Sequence, residues 1–174
     1  TAGSQPGQTS DSAYAKVNAI TAGGVSGLTA TATNVTSGTF STVASATAAS
    51  TYNLTVNGIA IYAGADNLAA GASLTAADVA AQVNLFSAQT GVSAAVSGTT
   101  LTLTGADGRN VVVAETLTQG TGATLTGTMS APDANGRGTL SLAGGGQNLS
   151  LAYYAVSASK LLLVGIPVLL WTML

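Results

Sequence analysis

The residues able to do chemistry in this chain are few, and their spacing decides what they can do. There is no His and no Cys, which removes the commonest general base, the commonest zinc ligands and all thiol chemistry together. A serine nucleophile would then need lysine as its base, and Ser157-Ala-Ser159-Lys160 is the place to look for that pair. No acyl-transfer signature accompanies it, and Lys160 reads more simply as a polar boundary to the apolar run that begins at Leu161. Calcium takes six or more oxygens, usually from closely spaced carboxylates, and Asp66, Asp78 and Asp107 lack that spacing. Gly144-Gly-Gly146 has neither the Lys nor the following Ser/Thr of a phosphate loop, so it reads as a turn. No catalytic, cofactor-binding or metal-ligating residue is assigned, no cofactor is expected, and the chain is read as a non-enzyme.

Two further motifs have a functional and a plain reading. Asp107-Gly108-Arg109 could be an exposed recognition loop, but Asp bonds its own backbone and Gly takes positive φ, so a turn is the simpler reading. Asn34-Val-Thr36, Asn53-Leu-Thr55 and Asn148-Leu-Ser150 fit the N-glycosylation pattern. That pattern arises often by chance in a Thr-rich chain, and two of the three fall inside expected strands. O-linked sugar on exposed Ser or Thr is the better expectation.

A chain of 174 residues suits one domain or two small ones. Only four basic and six acidic residues are present, far below the charged quarter typical of soluble domains. Polarity comes instead from Thr, Ser, Asn and Gly, a hydroxyl-rich and nearly neutral surface suited to extracellular β proteins, filament subunits and coats. Four scattered cations cannot track phosphates, so nucleic-acid binding is not expected. Absence of Cys rules out a disulfide framework. Thr1 to Ser10 has no basic and then apolar run, so no signal peptide is read there, and the chain is taken as a fragment or processed product.

The elements follow from periodicity. Residues 1–9 read as linker. Ser10 is the expected N-cap of a helix whose apolar stripe is Ala13, Val17 and Ile20, ended by Gly23-Gly24. Leu28 to Thr36 alternates as a strand, Ser37-Gly38 turns it, and Thr39 to Ala46 returns. Tyr52 to Tyr62 holds two alternating runs around Asn57-Gly58, a type I′ hairpin signal, with Leu54, Val56, Ile59 and Ile61 on the buried face. Asp66 to Ser73 is a loop. Thr75-Ala-Ala-Asp78 resembles a capping box and opens a helix lined by Val79, Val83 and Phe86, ending near Thr90-Gly91. A second hairpin runs Val92 to Val96, Ser97-Gly98, Thr99 to Thr104, and Asn110 to Glu115 is a further strand. A weak repeat relates Ala15-Lys-Val-Asn18 with Gly24-Val-Ser26 to Ala81-Gln-Val-Asn84 with Gly91-Val-Ser93. From Gly120 the texture turns Gly/Thr-rich, with strands expected at Thr139 to Leu142 and Leu149 to Val156. The apolar end, Leu161 to Leu174, is shorter than the ~20 residues of a membrane span, and its exposure would favour aggregation.

Three of these stretches carry a family likeness. Tyr52-Asn-Leu-Thr-Val-Asn-Gly-Ile-Ala-Ile-Tyr62, the helix from Leu74 running into Gly91-Val-Ser93, and Thr100-Leu-Thr-Leu-Thr-Gly-Ala-Asp-Gly-Arg-Asn110 resemble, in that order, the hairpin, helix and closing turn of the variable outer-domain repeat of bacterial flagellins (the hook IN type). Ser12 to Ile20 and Gly27 to Ala32 look like the end of an upstream copy. The likeness covers about residues 10–118. It implies an α+β fold, β-dominated, of antiparallel hairpins with two short helices packed on the sheet. The expected division is a linker (1–9), a partial first repeat (10–48), the outer module (49–119) and a Gly/Thr-rich β segment with apolar tail (120–174). It further implies a structural role on the filament surface, outside the cell, with no catalytic residues to carry over. Partners would be other filament subunits, through terminal helices this chain lacks, and host receptors, antibodies or phage at the outer face. The alternative from composition is a β-rich binding module of a secreted adhesin or surface-layer protein.

Overall fold

The computed structural model describes residues 1–120 and, beyond them, the strand backbones at 125–126, 139–144 and 161–163. In chain order the elements are α1 (Ala13–Ala22), β1 (Leu28–Thr39), β2 (Val43–Ser45), β3 (Thr51–Val56), β4 (Ile59–Tyr62), β5 (Ser73–Leu74) and α2 (Ala76–Leu85). There follow α3 (Ser87–Thr90), β6 (Ser93–Ser97), β7 (Thr100–Gly105), β8 (Val113–Thr118), β9 (Leu125–Thr126), β10 (Thr139–Gly144) and β11 (Leu161–Leu163). The fold is α+β and dominated by antiparallel strands, as the alternating Thr-rich runs imply. Helix α3 is a single turn beyond the two helices expected.

The cap of α1 is Ser12, not Ser10: its Oγ accepts from the Ala15 amide at 3.2 Å and donates to the Thr9 carbonyl at 2.6 Å. Ser12 is fully buried, so losing the cap would leave polar backbone unpaired as well as fray the first turn. The helix stops at Gly23, and Gly24 supplies the left-handed φ of +63°. Its stripe of Ala13, Val17 and Ile20 packs on Ala30 and Ala32 of β1.

The expected turn at Ser37-Gly38 does not form. β1 runs straight through it, because Ser37, Gly38 and Thr39 pair with Thr102, Leu101 and Thr100 of β7. The Ser37 and Thr102 hydroxyls meet at 2.9 Å. A long-range ladder, which pairs residues 34–39 with β7, overrides a local turn propensity. β1 thereby serves two neighbours: Leu28 to Thr33 pair with β10, and Asn34 to Thr39 with β7. The resulting sheet has the order β11-β10-β1-β7-β6, with β10 and β11 parallel. Of the expected return strand only β2 forms, between β5 and β9. The expected strand at Leu149 to Val156 lies outside the described residues.

The hairpin of β3 and β4 is built as its sequence dictates. Asn57 and Gly58 take φ of +51° and +78°, which the right-handed strand twist requires of a two-residue turn. Tyr52, Leu54, Val56 and Ile61 are buried, while Ile59 is half-buried. They join Val79 and Val83 of α2, Val92, Leu101, Leu103 and Val111 in one core. Phe40 and Val43, from the stretch before residue 49, belong to the same core, and the Phe40 ring stands edge-on to Tyr52 with centroids 6.4 Å apart. Each such side chain contributes roughly 1.5–3 kcal/mol on leaving water.

The capping box forms with Asp in place of Glu: the Thr75 hydroxyl accepts from the Asp78 amide at 3.3 Å, and the Asp78 carboxylate accepts from the Thr75 amide at 2.8 Å. Both repeat copies run from a helix through a left-handed glycine, Gly24 at +63° and Gly91 at +67°, into a strand on which that helix packs. In the second copy the Asn of the echo has a visible task. The Asn84 carboxamide accepts from Ala94 N at 2.8 Å and donates to Ala94 O at 2.9 Å, standing where a neighbouring strand would stand beside β6. Asn67 treats Tyr52 in the same way, at 2.8 and 2.6 Å. Two boundaries shift from expectation. The second hairpin turns at Gly98, φ +61°, between paired Ser97 and Thr100. β8 begins at Val113 rather than Asn110, because the backbones of Asn110 and Val112 bond to Gly7 and Asn57 instead.

Candidate functional site

Among the described residues, charged and polar contacts gather most densely at the turn that closes β7. The Gly108 amide donates to the Gly105 carbonyl at 3.1 Å, and Gly108 adopts φ +77°. A Cβ at Gly108 would fall 2.3 Å from the Ala32 methyl, so only glycine lets the turn approach β1. Asp107 Oδ1 accepts from the Arg109 amide at 3.1 Å, the local bond expected of Asp in a turn. The same carboxylate receives a forked pair from the guanidinium, Nε at 2.9 Å and Nη2 at 2.8 Å, and a fourth bond from Gln8 Nε2 at 2.9 Å.

Arg109 reaches further. Its Nη1 donates to the carbonyls of Pro6 and Thr90, each at 3.1 Å. A Cβ on Gly91 would lie 1.7 Å from Nη1, so that glycine is the gap through which the guanidinium passes. The Arg109 carbonyl accepts from Asn34 Nδ2 at 2.9 Å, the Asn110 amide donates to Gly7 O at 2.7 Å, and Asn110 Nδ2 reaches Thr9 Oγ1 at 2.9 Å. The Tyr14 amide donates to Gly108 O at 3.0 Å. One six-residue turn thus fastens the segment read as linker, the start of α1, the middle of β1 and the end of α3.

Electrostatics match this holding role. Burial works against ionising Asp107, but the hydrogen bonds from Arg109 and Gln8 outweigh it and hold the carboxyl at about 2. The Arg109 side chain is only 11% exposed. Asp107-Gly108-Arg109 is therefore the turn its residue types favour, its cation turned inward rather than offered to a partner. Ionised and bonded to four donors, the Asp107 carboxylate is committed to holding the turn.

The other candidates are dispersed. Asp78 caps α2, and its carboxyl is held below its usual range by hydrogen bonds from the Thr75 side chain and backbone. Asp66 sits at φ +53° in the loop after β4, its amide donating to Thr51 Oγ1 at 2.9 Å. Among the described residues no group of three or more His, Cys, Asp or Glu is placed to hold a metal ion. Asn34 is 2% exposed and its amide nitrogen, the atom a glycan would need, is committed to Arg109. Asn53 is half-buried in β3. Ser157, Ser159, Lys160, Gly145, Gly146 and Asn148 lie outside the described residues. Sequence reasoning missed Gln8, Asn34, Asn57 and Thr90 as members of the clasp. For these four the local trace is the glycines at 7 and 91, since a Cβ at Gly7 would meet Asn110 O at 2.3 Å.

A buried tyrosine and a half-buried one meet at the core. Tyr52 and Tyr62 stack edge to face with centroids 5.4 Å apart. Burial raises the Tyr52 hydroxyl well above the ordinary phenol range, and the Glu115 carboxylate raises it further. Tyr62 is raised by burial and then by Asp78. Both phenols stay neutral and serve packing. Compared with known proteins, the chain matches no family model and no curated sequence.

Proposed function

We propose that this chain is the surface-exposed outer module of a bacterial flagellar filament subunit, extracellular and structural, acting by steric presentation rather than catalysis. The observation that carries the reading is the clasp. The Ala106-Asp-Gly-Arg-Asn110 run, the most distinctive part of the family likeness, closes the fold through Asp107, Arg109 and Asn110. A motif kept for architecture is what an outer module with a changing surface needs: a fixed frame beneath a freely varied face.

The exposed face of β1 supports the same reading. Thr29, Thr31, Thr33, Val35, Ser37 and Thr39 all face out, with no charge among them. Such a face stays hydrated through hydroxyls and leaves host receptors, antibodies or phage as its natural contacts. Among the described residues no helix is long and apolar enough to cross a membrane. Assembly with other subunits would run through terminal helices outside this sequence. The test is to read the coding DNA on both sides of this segment. Long amphipathic helices rich in Gln, Asn and Leu at both ends are expected. A signal peptide, further β repeats or a wall anchor would replace this reading with that of an adhesin or surface-layer module.

A further inference from the structure

Asn57-Gly58 is a chemically labile pair held in an unusual grip. In a flexible chain, glycine leaves its backbone nitrogen unshielded and free to approach the preceding side chain. The Gly58 nitrogen can then attack Asn57 Cγ. The new C–N bond forms, the nitrogen gives up its proton and ammonia leaves, producing a cyclic succinimide. Water opens that ring at either carbonyl, yielding aspartate or isoaspartate at position 57 with no change of oxidation state.

In the folded protein the carboxamide is pinned at both ends. Its Oδ1 accepts from the Val112 amide at 2.8 Å, and its Nδ2 donates to the Thr90 carbonyl at 3.1 Å, the same oxygen that Arg109 Nη1 holds. The Asn57 backbone amide is bonded to Val112 O at 2.8 Å. Gly7 presses on the carboxamide so closely that a Cβ there would lie 2.7 Å from Asn57 Nδ2. Cγ cannot swing toward the Gly58 nitrogen unless the hairpin turn and the clasp both let go.

We propose that Asn57 is a modification site the fold keeps shut: it deamidates only in chains whose β3–β4 turn and Asp107–Arg109 clasp are open, and the product bars them from closing again. Aspartate at 57 would set a carboxylate oxygen against the Thr90 carbonyl in place of a donor. Isoaspartate adds a main-chain carbon between Val56 and Ile59, which pair directly across the turn. The site is thus a one-way mark on chains that linger unfolded.

The full chain is incubated in mildly alkaline buffer, folded in one sample and unfolded by guanidinium chloride in the other. Peptide mass spectrometry follows amide-to-acid conversion at position 57. Conversion in the folded sample should be slower by at least about tenfold, since it waits on local opening, and equal rates would overturn the proposal. Intermediate guanidinium concentrations on the wild-type chain should raise the rate in step with the open fraction, and a rate indifferent to opening would also overturn it. After removal of guanidinium, chains still carrying Asn57 should regain protease resistance. Isoaspartate chains that regain it equally would refute the block on closure.

Discussion

Replacing Arg109 with methionine keeps much of the stem and removes the fork. Four bonds disappear: two to Asp107 at 2.8 and 2.9 Å, and one each to Pro6 and Thr90 at 3.1 Å. Hydrogen bonds involving a charge contribute about 1.5–3 kcal/mol each, but four bonds on one group do not add. Removing one partner of a buried pair costs roughly 3–5 kcal/mol. With Asp107 32% exposed, water can partly rehydrate it, which sets the expectation at the low end. The predicted loss is about 3 kcal/mol, a large share of the ~5–15 kcal/mol typical of a domain. Urea unfolding followed by far-ultraviolet circular dichroism reads it as a midpoint lowered by about 1–3 M, for slopes of ~1–3 kcal/mol/M. The proton linkage gives an independent check. Asp107 is held at about 2 against an ordinary 3.8, so its contribution is present above 3.8 and is lost as pH falls through 2. Discounted for partial exposure, that contribution is about 2 kcal/mol. The wild-type chain should weaken in that window, and Arg109→Met should already lack the guanidinium's share of the contribution at neutral pH, keeping that of Gln8 and the backbone amide. A loss below about 1 kcal/mol with an unchanged acid profile would refute the clasp as the fastening point.

Gly91→Ala should destabilise by about 2–3 kcal/mol, combining a left-handed φ with collision against the guanidinium; thermal melting would show it, and a near-neutral effect would mean Arg109 does not pass there. Thr75→Ala should cost about 1 kcal/mol by removing one half of the capping box, measured by the same denaturation. Because the folded Tyr52 hydroxyl is raised, stability is full below the ordinary phenol value of 10.0 and should fall as pH rises past it. Spectrophotometric titration should accordingly find a tyrosine that ionises only on unfolding, whereas smooth titration of every tyrosine in the folded chain would contradict its burial.

Local signals were legible wherever the chain answers to its immediate neighbours. Asn57-Gly58 dictates its turn, Thr75 and Asp78 cap their helix, and the stripes of Ala13, Val17, Ile20 and of Val79, Val83 name their buried faces. Ser37-Gly38 misled because a strand 65 residues away supplies the partners that keep it extended. The cap of α1 was misplaced by two residues because Ser10 and Ser12 are chemically alike and only burial separates them. The clasp was half legible: Asp107, Gly108 and Arg109 announce a turn, but the bonds to Pro6, Gln8 and Thr90 join residues 19 to 103 positions apart. Periodicity carries no record of such distances. The same holds for Asn67 and Asn84, whose carboxamides replace missing strand partners at Tyr52 and Ala94.

Immunogold electron microscopy of the source cells, with antibodies raised against the purified, folded chain, tests most directly the proposed place of this chain on the outer face of a filament. Gold particles decorating the full length of flagellar filaments on intact cells are the predicted result. Label spread over the cell envelope with bare filaments would contradict it.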